Sequence, residues 1–234
     1  MEETFNTKAI ILRREPFRES DTKVTVYSLE KGKLHLVARG TKKINSKLAG
    51  HLEPMNLVDL MIVRGKQFDY AGSAKAINCF GNAKNDLEKN LHAGSILQAI
   101  DRMIDIGEKD EKIFSLLSES FLKLDDPGIP SHGLLPAWFF LRLISLSGYR
   151  PDLYSCAACR DRLKPGNNFF NYERNGLVCG KCAVFRGLKV SDDCIKVLRL
   201  MLEEDFDYLI KLKINDKLSV EIKEAINSFL QNRH

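Results

Sequence analysis

No stretch of this chain reaches the ~18 apolar residues that a membrane-spanning helix needs. The longest apolar-rich segment, 134–146, is shorter and carries Arg142. The opening Met1-Glu2-Glu3-Thr4 is acidic and has no apolar core, so no secretory leader and no membrane partner are expected. A phosphate-cradling G-x-x-x-x-G-K-[ST] loop and a dinucleotide G-x-G-x-x-G fingerprint are both missing. The five histidines show neither metal-ligand nor catalytic spacing. The expectation is therefore a protein that is not an enzyme. What is present, 234 residues with 44% hydrophobic and 29% charged side chains, suits an ordinary globular chain of one to three domains.

Acidic residues are missing from one place in particular. Between Lys31 and Lys47 the chain has six basic side chains (Lys31, Lys33, Arg39, Lys42, Lys43 and Lys47) and no acidic one. The net charge of +5 is equally one-sided. Residues 1–80 hold fourteen Lys and Arg against nine Asp and Glu, while 81–234 hold twenty-two of each. The whole excess lies in the first third, as for a nucleic-acid-binding module joined to a neutral scaffold.

That first third has strand character. Ala9-Ile10-Ile11-Leu12 is a short apolar run, and Lys23–Ser28 and 33–38 alternate with period two. The run 57–63 ends at Arg64-Gly65-Lys66, and 67–75 follows with Phe68 and Tyr70 on one face. Five short strands with glycine turns predict a small barrel, of which a five-stranded OB-type Greek key is the economical form. The Gly40–Gly50 loop, with its cations, is placed to follow a phosphate backbone without reading bases. Phe5, Tyr27, Phe68 and Tyr70 are either stacking surfaces for bases or core residues, and the cations either touch phosphate or form a solvated face.

From 81 onward the period becomes helical. Leu87, Leu91, Ile96, Leu97, Ile100, Met103 and Ile104 predict one amphipathic helix stopped by Gly107. Asp110 is placed to cap a second, with Ile113, Phe114, Leu117, Phe121 and Leu124 on its apolar side. After Asp126-Pro127-Gly128, a third helix over 134–147 is apolar nearly all round and should be the central core helix. Arg142 within it either snorkels from the core edge or marks a cleft. Ser191 and Ser219 are the expected caps of two last helices, carrying Ile195, Leu198, Leu202 and Phe206, then Ile222, Ile226, Phe229 and Leu230. Both are expected to fold back onto 81–150.

Cys156-Ala157-Ala158-Cys159 and Cys179-Gly180-Lys181-Cys182 supply the one constellation with specific chemistry. Nineteen residues lie between the pairs, and between them Asn168–Tyr172, an Asn175-Gly176 turn and Leu177-Val178 read as a hairpin. The spacing fits a zinc ribbon in which four thiolates close a tetrahedral shell around one structural Zn²⁺. Two disulfides or four unrelated thiols are the alternatives, and a reducing cytoplasm favours metal. Arg160, Arg162, Lys164, Arg174, Lys181 and Arg186 make the module basic, either as a second nucleic-acid contact or for solubility. Cys79 and Cys194 are expected to be packed thiols. The fold class is thus α+β and multidomain: an OB-type barrel at 1–80, a helical domain at 81–154 and 187–234, and a zinc-binding module at 155–186.

Taken in order, these stretches resemble the RecO family of bacterial recombination mediators. The resemblance is carried by Lys8-Ala9-Ile10-Ile11-Leu12, Arg18-Glu19-Ser20-Asp21, Glu30-Lys31-Gly32-Lys33, Val37 through Lys43, Leu52-Glu53-Pro54, Leu141-Arg142-Leu143, Gly148 through Leu153, and the cysteine quartet. It implies an OB domain, a helical domain and a zinc module. It also implies cytoplasmic, nucleoid-associated work in DNA repair: binding single- and double-stranded DNA and annealing complementary strands. With RecR, such proteins help RecA load onto DNA coated by single-stranded DNA-binding protein, whose C-terminal tail docks on the helical domain. By position, Arg39, Lys42, Lys43 and Lys47 correspond to the DNA-contacting loop. Basic residues that some members carry early in the helix beginning Pro136-Ala137-Trp138 are missing, and Arg142 or Arg150 stands in for them as the tail contact. The other reading is a protein–protein adaptor whose basic barrel binds acidic partners.

Overall fold

The computed structural model describes residues 3–129, 134–171, 173–174, 176–183 and 187–231, the last four of these by backbone alone. The chain forms two compact units, Met1–Ser131 and His132–His234.

In the first unit, β1 (Thr4–Pro16), β2 (Thr22–Ser28), β3 (Gly32–Ala38), β4 (Leu57–Val63) and β5 (Asp69–Asn78) close a barrel in the order β1-β2-β3-β5-β4. β1 is long enough to serve two neighbours. Ala9–Pro16 pairs antiparallel with β2, and Thr4–Ile10 pairs with β4. A register shift between Ile11 and Arg13 bends it from one to the other, as a β-bulge does. β3 meets β5 in parallel through Leu36–Asp69 and Val37–Tyr70, which completes the OB-type topology. Period-two alternation turns Ile11, Val24, Val26, Leu36, Leu60 and Ile62 into the barrel core.

The outer face of β1–β3 is buried too. Ile10, Leu12 and Tyr27 point away from the barrel core and are still inaccessible. α1 (Gly81–Asn85), α2 (Leu87–Met103) and α3 (Glu111–Asp125) belong to the same unit, and α2 packs on β1. Tyr27 stacks on Phe114 of α3 at 6.5 Å, and its hydroxyl bridges the Asp110 carbonyl (3.3 Å) and N–H (3.1 Å). Asp110 caps α3 as expected, its Oδ1 accepting from Lys112 and Ile113.

The β2–β3 turn is pressed against the α2–α3 connection. Gly107 N–H donates to the Lys33 carbonyl at 2.8 Å. Gly32 has φ of +66°, and a Cβ there would lie 2.0 Å from the Glu108 carbonyl oxygen, so only glycine fits.

These contacts place α1–α3 with the barrel, whereas the sequence reading grouped 81–154 with 187–234. The difference comes from an apolar outer barrel face, which periodicity assigns to a strand without saying what covers it. Leu87 and Leu91 likewise differ from expectation. They are exposed, because α2 turns Ala93, Ile96, Leu97 and Ile100 inward. On its outer side, Leu87, Asn90, Leu91, Gly94, Ser95 and Gln98 line an open groove of about 380 Å³. Cys79 is exposed rather than packed.

The second unit is built on α4 (Leu134–Ile144), buried nearly all round. A single π-helical turn, Ser145–Tyr149, follows, and within it Gly148 has a φ of +85°. α5 (Asp192–Glu203) and α7 (Asp216–Gln231) both pack on α4. In the short α6 (Phe206–Leu209), Phe206 meets Trp138 at 5.5 Å. Ser191 caps α5 as expected, its Oγ accepting from Cys194 N–H at 3.2 Å. α7 starts three residues before the expected Ser219 cap, and the Asn215 side chain takes the Leu218 N–H at 2.9 Å. Ile222 and Ile226 are buried, and the side chains of Phe229 and Leu230 lie outside the described residues. The cysteine segment contributes β6 (Asn168–Asn171) and β7 (Gly176–Cys179), the expected hairpin. Tyr172, Asn175 and Arg186 lie outside the described residues. A third strand, β8 (Leu188–Val190), pairs with β6 and carries this sheet past the expected boundary at 186. Among the described residues no helix is long and apolar enough to cross a membrane.

Candidate nucleic-acid interface and metal site

Four of the six expected cations stand together on one exposed loop. Arg39, Lys42, Lys43 and Lys47 are exposed on the loop that follows β3. The loop's base is fastened to the β1–β2 loop. Gly40 N–H donates to Asp21 Oδ1 at 2.9 Å, Lys42 N–H donates to the Ser20 carbonyl at 3.1 Å, and the Thr22 and Thr41 hydroxyls share a buried hydrogen bond of 2.8 Å. Lys42 Nζ donates to the Arg18 carbonyl at 2.7 Å.

The other two cations differ. Lys31 is exposed, with its ammonium 5.7 Å from the Phe5 ring. Lys33 is a correction: its side chain is buried against α2, not presented to a polyanion. Its ammonium pairs with Asp101 Oδ1 at 3.0 Å and donates to the Ile104 carbonyl at 3.0 Å and to the Asp101 carbonyl. Asp101 also forms an ion pair with Arg13, its Oδ2 lying 2.7 Å from Nε. Lys33 lies on the outward side of β3, where alternation predicts solvent, but α2 occupies that side. The neighbouring His35, hydrogen-bonded to Thr25, is held below the usual imidazole range by burial, with Lys23, Lys33 and Arg13 adding to the effect.

The aromatics divide as well. Tyr27 is wholly buried in the α3 contact and is no platform for bases. Phe5 is half-buried against the barrel core, between Lys31 and Arg64. Phe68 is exposed, and Tyr70 is half-buried. Phe68, in the β4–β5 loop, meets Phe17 of the β1–β2 loop edge-on at 5.4 Å. The Arg39 guanidinium lies over Tyr70 at 4.0 Å, and that of Arg18 over Phe17 at 5.1 Å. Phe17 and Arg18 were not expected at this surface. The signal was there: an aromatic beside an arginine in a strand-to-strand loop, Pro16-Phe17-Arg18, has no core to enter. The β1–β2 and β4–β5 loops are where OB barrels take oligonucleotides and oligosaccharides. Flat aromatic and guanidinium faces beside exposed cations can hold bases and phosphates together.

In the second unit the four cysteine Sγ atoms gather, all within 4.8 Å of one another. Cys159 and Cys179 are 3.9 Å apart, far beyond a disulfide bond. A tetrahedral ion held by four thiolates at about 2.3 Å has S···S edges near about 3.8 Å, so this spacing fits a metal ion. The first pair is tied to β7 by Ala157 N–H donating to the Leu177 carbonyl at 2.8 Å. Burial pushes the Cys156 thiol up, but N–H donors of Cys159, Cys179 and Ala158 outweigh it and bring it down to about 6. The Cys182 thiol is pushed up to about 12, mainly by its hydrogen bond to the Cys179 thiol. Crowded thiolates repel one another, and a cation bound among them offsets that repulsion. Around it Arg160, Arg162, Lys164, Arg174 and Lys181 are exposed.

The tentative partner contacts separate. Arg142 is a correction: it holds the end of α5, donating to the carbonyls of Met201 (2.8 Å) and Glu204 (2.6 Å). Those last-turn carbonyls lack helical partners, and a cation at a helix C-terminus satisfies them. Arg150 is exposed, next to exposed Tyr149.

Residues 1–80 match the family described as Recombination protein O N terminal, and 84–234 match Recombination protein O C terminal. The chain belongs to the RecO family. Relatives named DNA repair protein RecO cover nearly all of it. That of Dehalococcoides mccartyi is 30% identical over 96% of this chain and 88% of its own length. That of Desulforamulus reducens is 28% identical over 97% and 88%, and that of a Thermoanaerobacter strain is 26% identical over 96% and 90%. The stretches that carry the resemblance have physical reasons in this chain. Arg18-Glu19-Ser20-Asp21 and Arg39-Gly40-Thr41-Lys42 interlock two loops, and Glu30-Lys31-Gly32-Lys33 holds the barrel against α2.

Proposed function

We propose that this chain is a DNA-binding recombination mediator that acts without catalysis of its own. The observation that carries this reading is the surface shared by Arg39, Lys42, Lys43 and Lys47 with Phe17, Arg18, Phe68 and Tyr70, on an OB-type barrel of a RecO-family chain. Cations beside stacking faces hold single or double strands through phosphates and ring faces, whatever their sequence. Two complementary strands held this way have their phosphates screened, which favours annealing. Cooperation with RecR, docking of the single-stranded DNA-binding protein's tail on the helical part, and help to RecA complete the role, and the family membership supports them. Arg142 is engaged with α5, so Arg150 is the better remaining tail contact. The ion in the thiol site is Zn²⁺, bound structurally, since four cysteines leave no position open for chemistry.

The test is the affinity of the purified protein for a labelled oligonucleotide across a salt series. Each phosphate contact contributes about −0.7 to −0.9 to the slope of log affinity against log salt. Lys42→Ala/Lys43→Ala should flatten that slope by roughly 1.4–1.8, alike for unrelated sequences. Absent or salt-insensitive binding would refute the reading. Pull-downs with nuclease added separate it from the adaptor reading, in which acidic protein partners alone would occupy the cations.

A further inference from the structure

Ile44 is the most exposed large apolar side chain among the described residues, at 103% of the reference area. A lone exposed isoleucine calls for no explanation in general. This one stands in a particular place. The chain turns twice in succession, with Lys43 N–H donating to the Gly40 carbonyl at 3.2 Å and Ser46 N–H to the Lys43 carbonyl at 3.0 Å. Ile44 and Asn45 are the central pair of the second turn, so Ile44 projects from its apex. The base of the double turn is fastened to the β1–β2 loop by the Gly40–Asp21, Lys42–Ser20 and Thr22–Thr41 bonds. Exposed Lys42, Lys43 and Lys47 flank it.

We propose that Ile44 is an apolar wedge that enters the stack between neighbouring bases of bound DNA while the three lysines hold the adjoining phosphates. The inference rests on the DNA-binding reading above and adds a contact that charge alone does not supply. An isoleucine left in water gains by leaving it, and the interior of a base stack is the apolar space next to a phosphate track. Proteins that kink or unstack nucleic acid use such aliphatic wedges. Ile44 is β-branched, and the fastened base supplies the rigid footing a wedge needs. Bases held apart in this way present free faces and edges to an incoming strand.

The experiment uses the full-length protein and a single-stranded oligonucleotide carrying 2-aminopurine, whose emission rises on unstacking. The native chain should raise the emission on binding. Ile44→Ala should weaken binding about five- to tenfold, from partial loss of the transfer of roughly three methylene groups. It should leave the salt slope unchanged and abolish the rise in emission. Ile44→Leu should restore both. An Ile44→Ala protein that matches the native chain in affinity and emission overturns the wedge and leaves the phosphate contacts standing. So does one whose salt slope falls, because the residue then only shapes the loop. A native chain that binds without any rise in emission also overturns the wedge alone, whereas no binding by the native chain overturns the wedge and the DNA reading together.

Discussion

Lys33→Met should destabilise the barrel unit while leaving its phosphate contacts intact. Methionine keeps the length and most of the apolar volume of the stem, so the change isolates the ammonium. Two carbonyls at the C-terminal end of α2, that of Asp101 and that of the capping Ile104, would lose their donor, at about 1 kcal/mol each. Asp101 would keep Arg13, so its share is well below the about 3–5 kcal/mol of a fully broken buried pair. The sum is about 2–3 kcal/mol. With a slope near about 2 kcal/mol per molar urea, the unfolding midpoint should fall by roughly 1–1.5 M. Far-ultraviolet circular dichroism reads the midpoint, and the salt series on the same sample reads the DNA contact. Lys42→Ala/Lys43→Ala should behave oppositely: a stability within about 0.5 kcal/mol of native and a flattened salt slope. Native stability with a flattened slope in Lys33→Met would refute the burial argument.

Tyr27 predicts a loss of stability at high pH. Burial pushes its phenol up to about 12, with the Asp110 and Glu108 carboxylates adding to it, against about 10 in the unfolded chain. A raised folded pKa contributes stability that is complete below pH about 10 and lost as pH climbs through about 12. Tyr27→Phe should therefore be less stable at neutral pH, for want of the bridge to Asp110, and should lose less between those two values; parallel pH curves for the two proteins would count against it. Cys156→Ser should remove a ligand and the lowest-lying thiol together. The protein should bind less than one ion per chain by metal analysis, its second unit should melt earlier, and DNA affinity should change little. Intact melting with DNA binding abolished would move the presumed activity to the thiol site.

The chain's local patterns were enough for the elements themselves. Alternation over 23–28 and 33–38 produced β2 and β3, Asp110 and Ser191 capped the helices they precede, and the two Cys-x-x-Cys turns converged. Each of these depends on neighbours a few residues apart, or on a ligand spacing that any fold must satisfy. The uncompensated charge of 31–47 was also visible, because charge needs no fold to be counted. Which of those charges meet water was not. Lys31 and Lys33 read alike in sequence, yet one is exposed and the other lies against α2 with Asp101, sixty-eight residues further on. Phe17 and Phe68, from opposite ends of the barrel's sequence, became one surface because β5 closes on the end of β3, which lies beside the start of β2 and the β1–β2 loop. Tyr27 looked like Tyr70 until α3 covered it. A strand's period says which side chains share a face, but it does not say what packs there. That depends on contacts distant along the chain, and only the tertiary structure makes them.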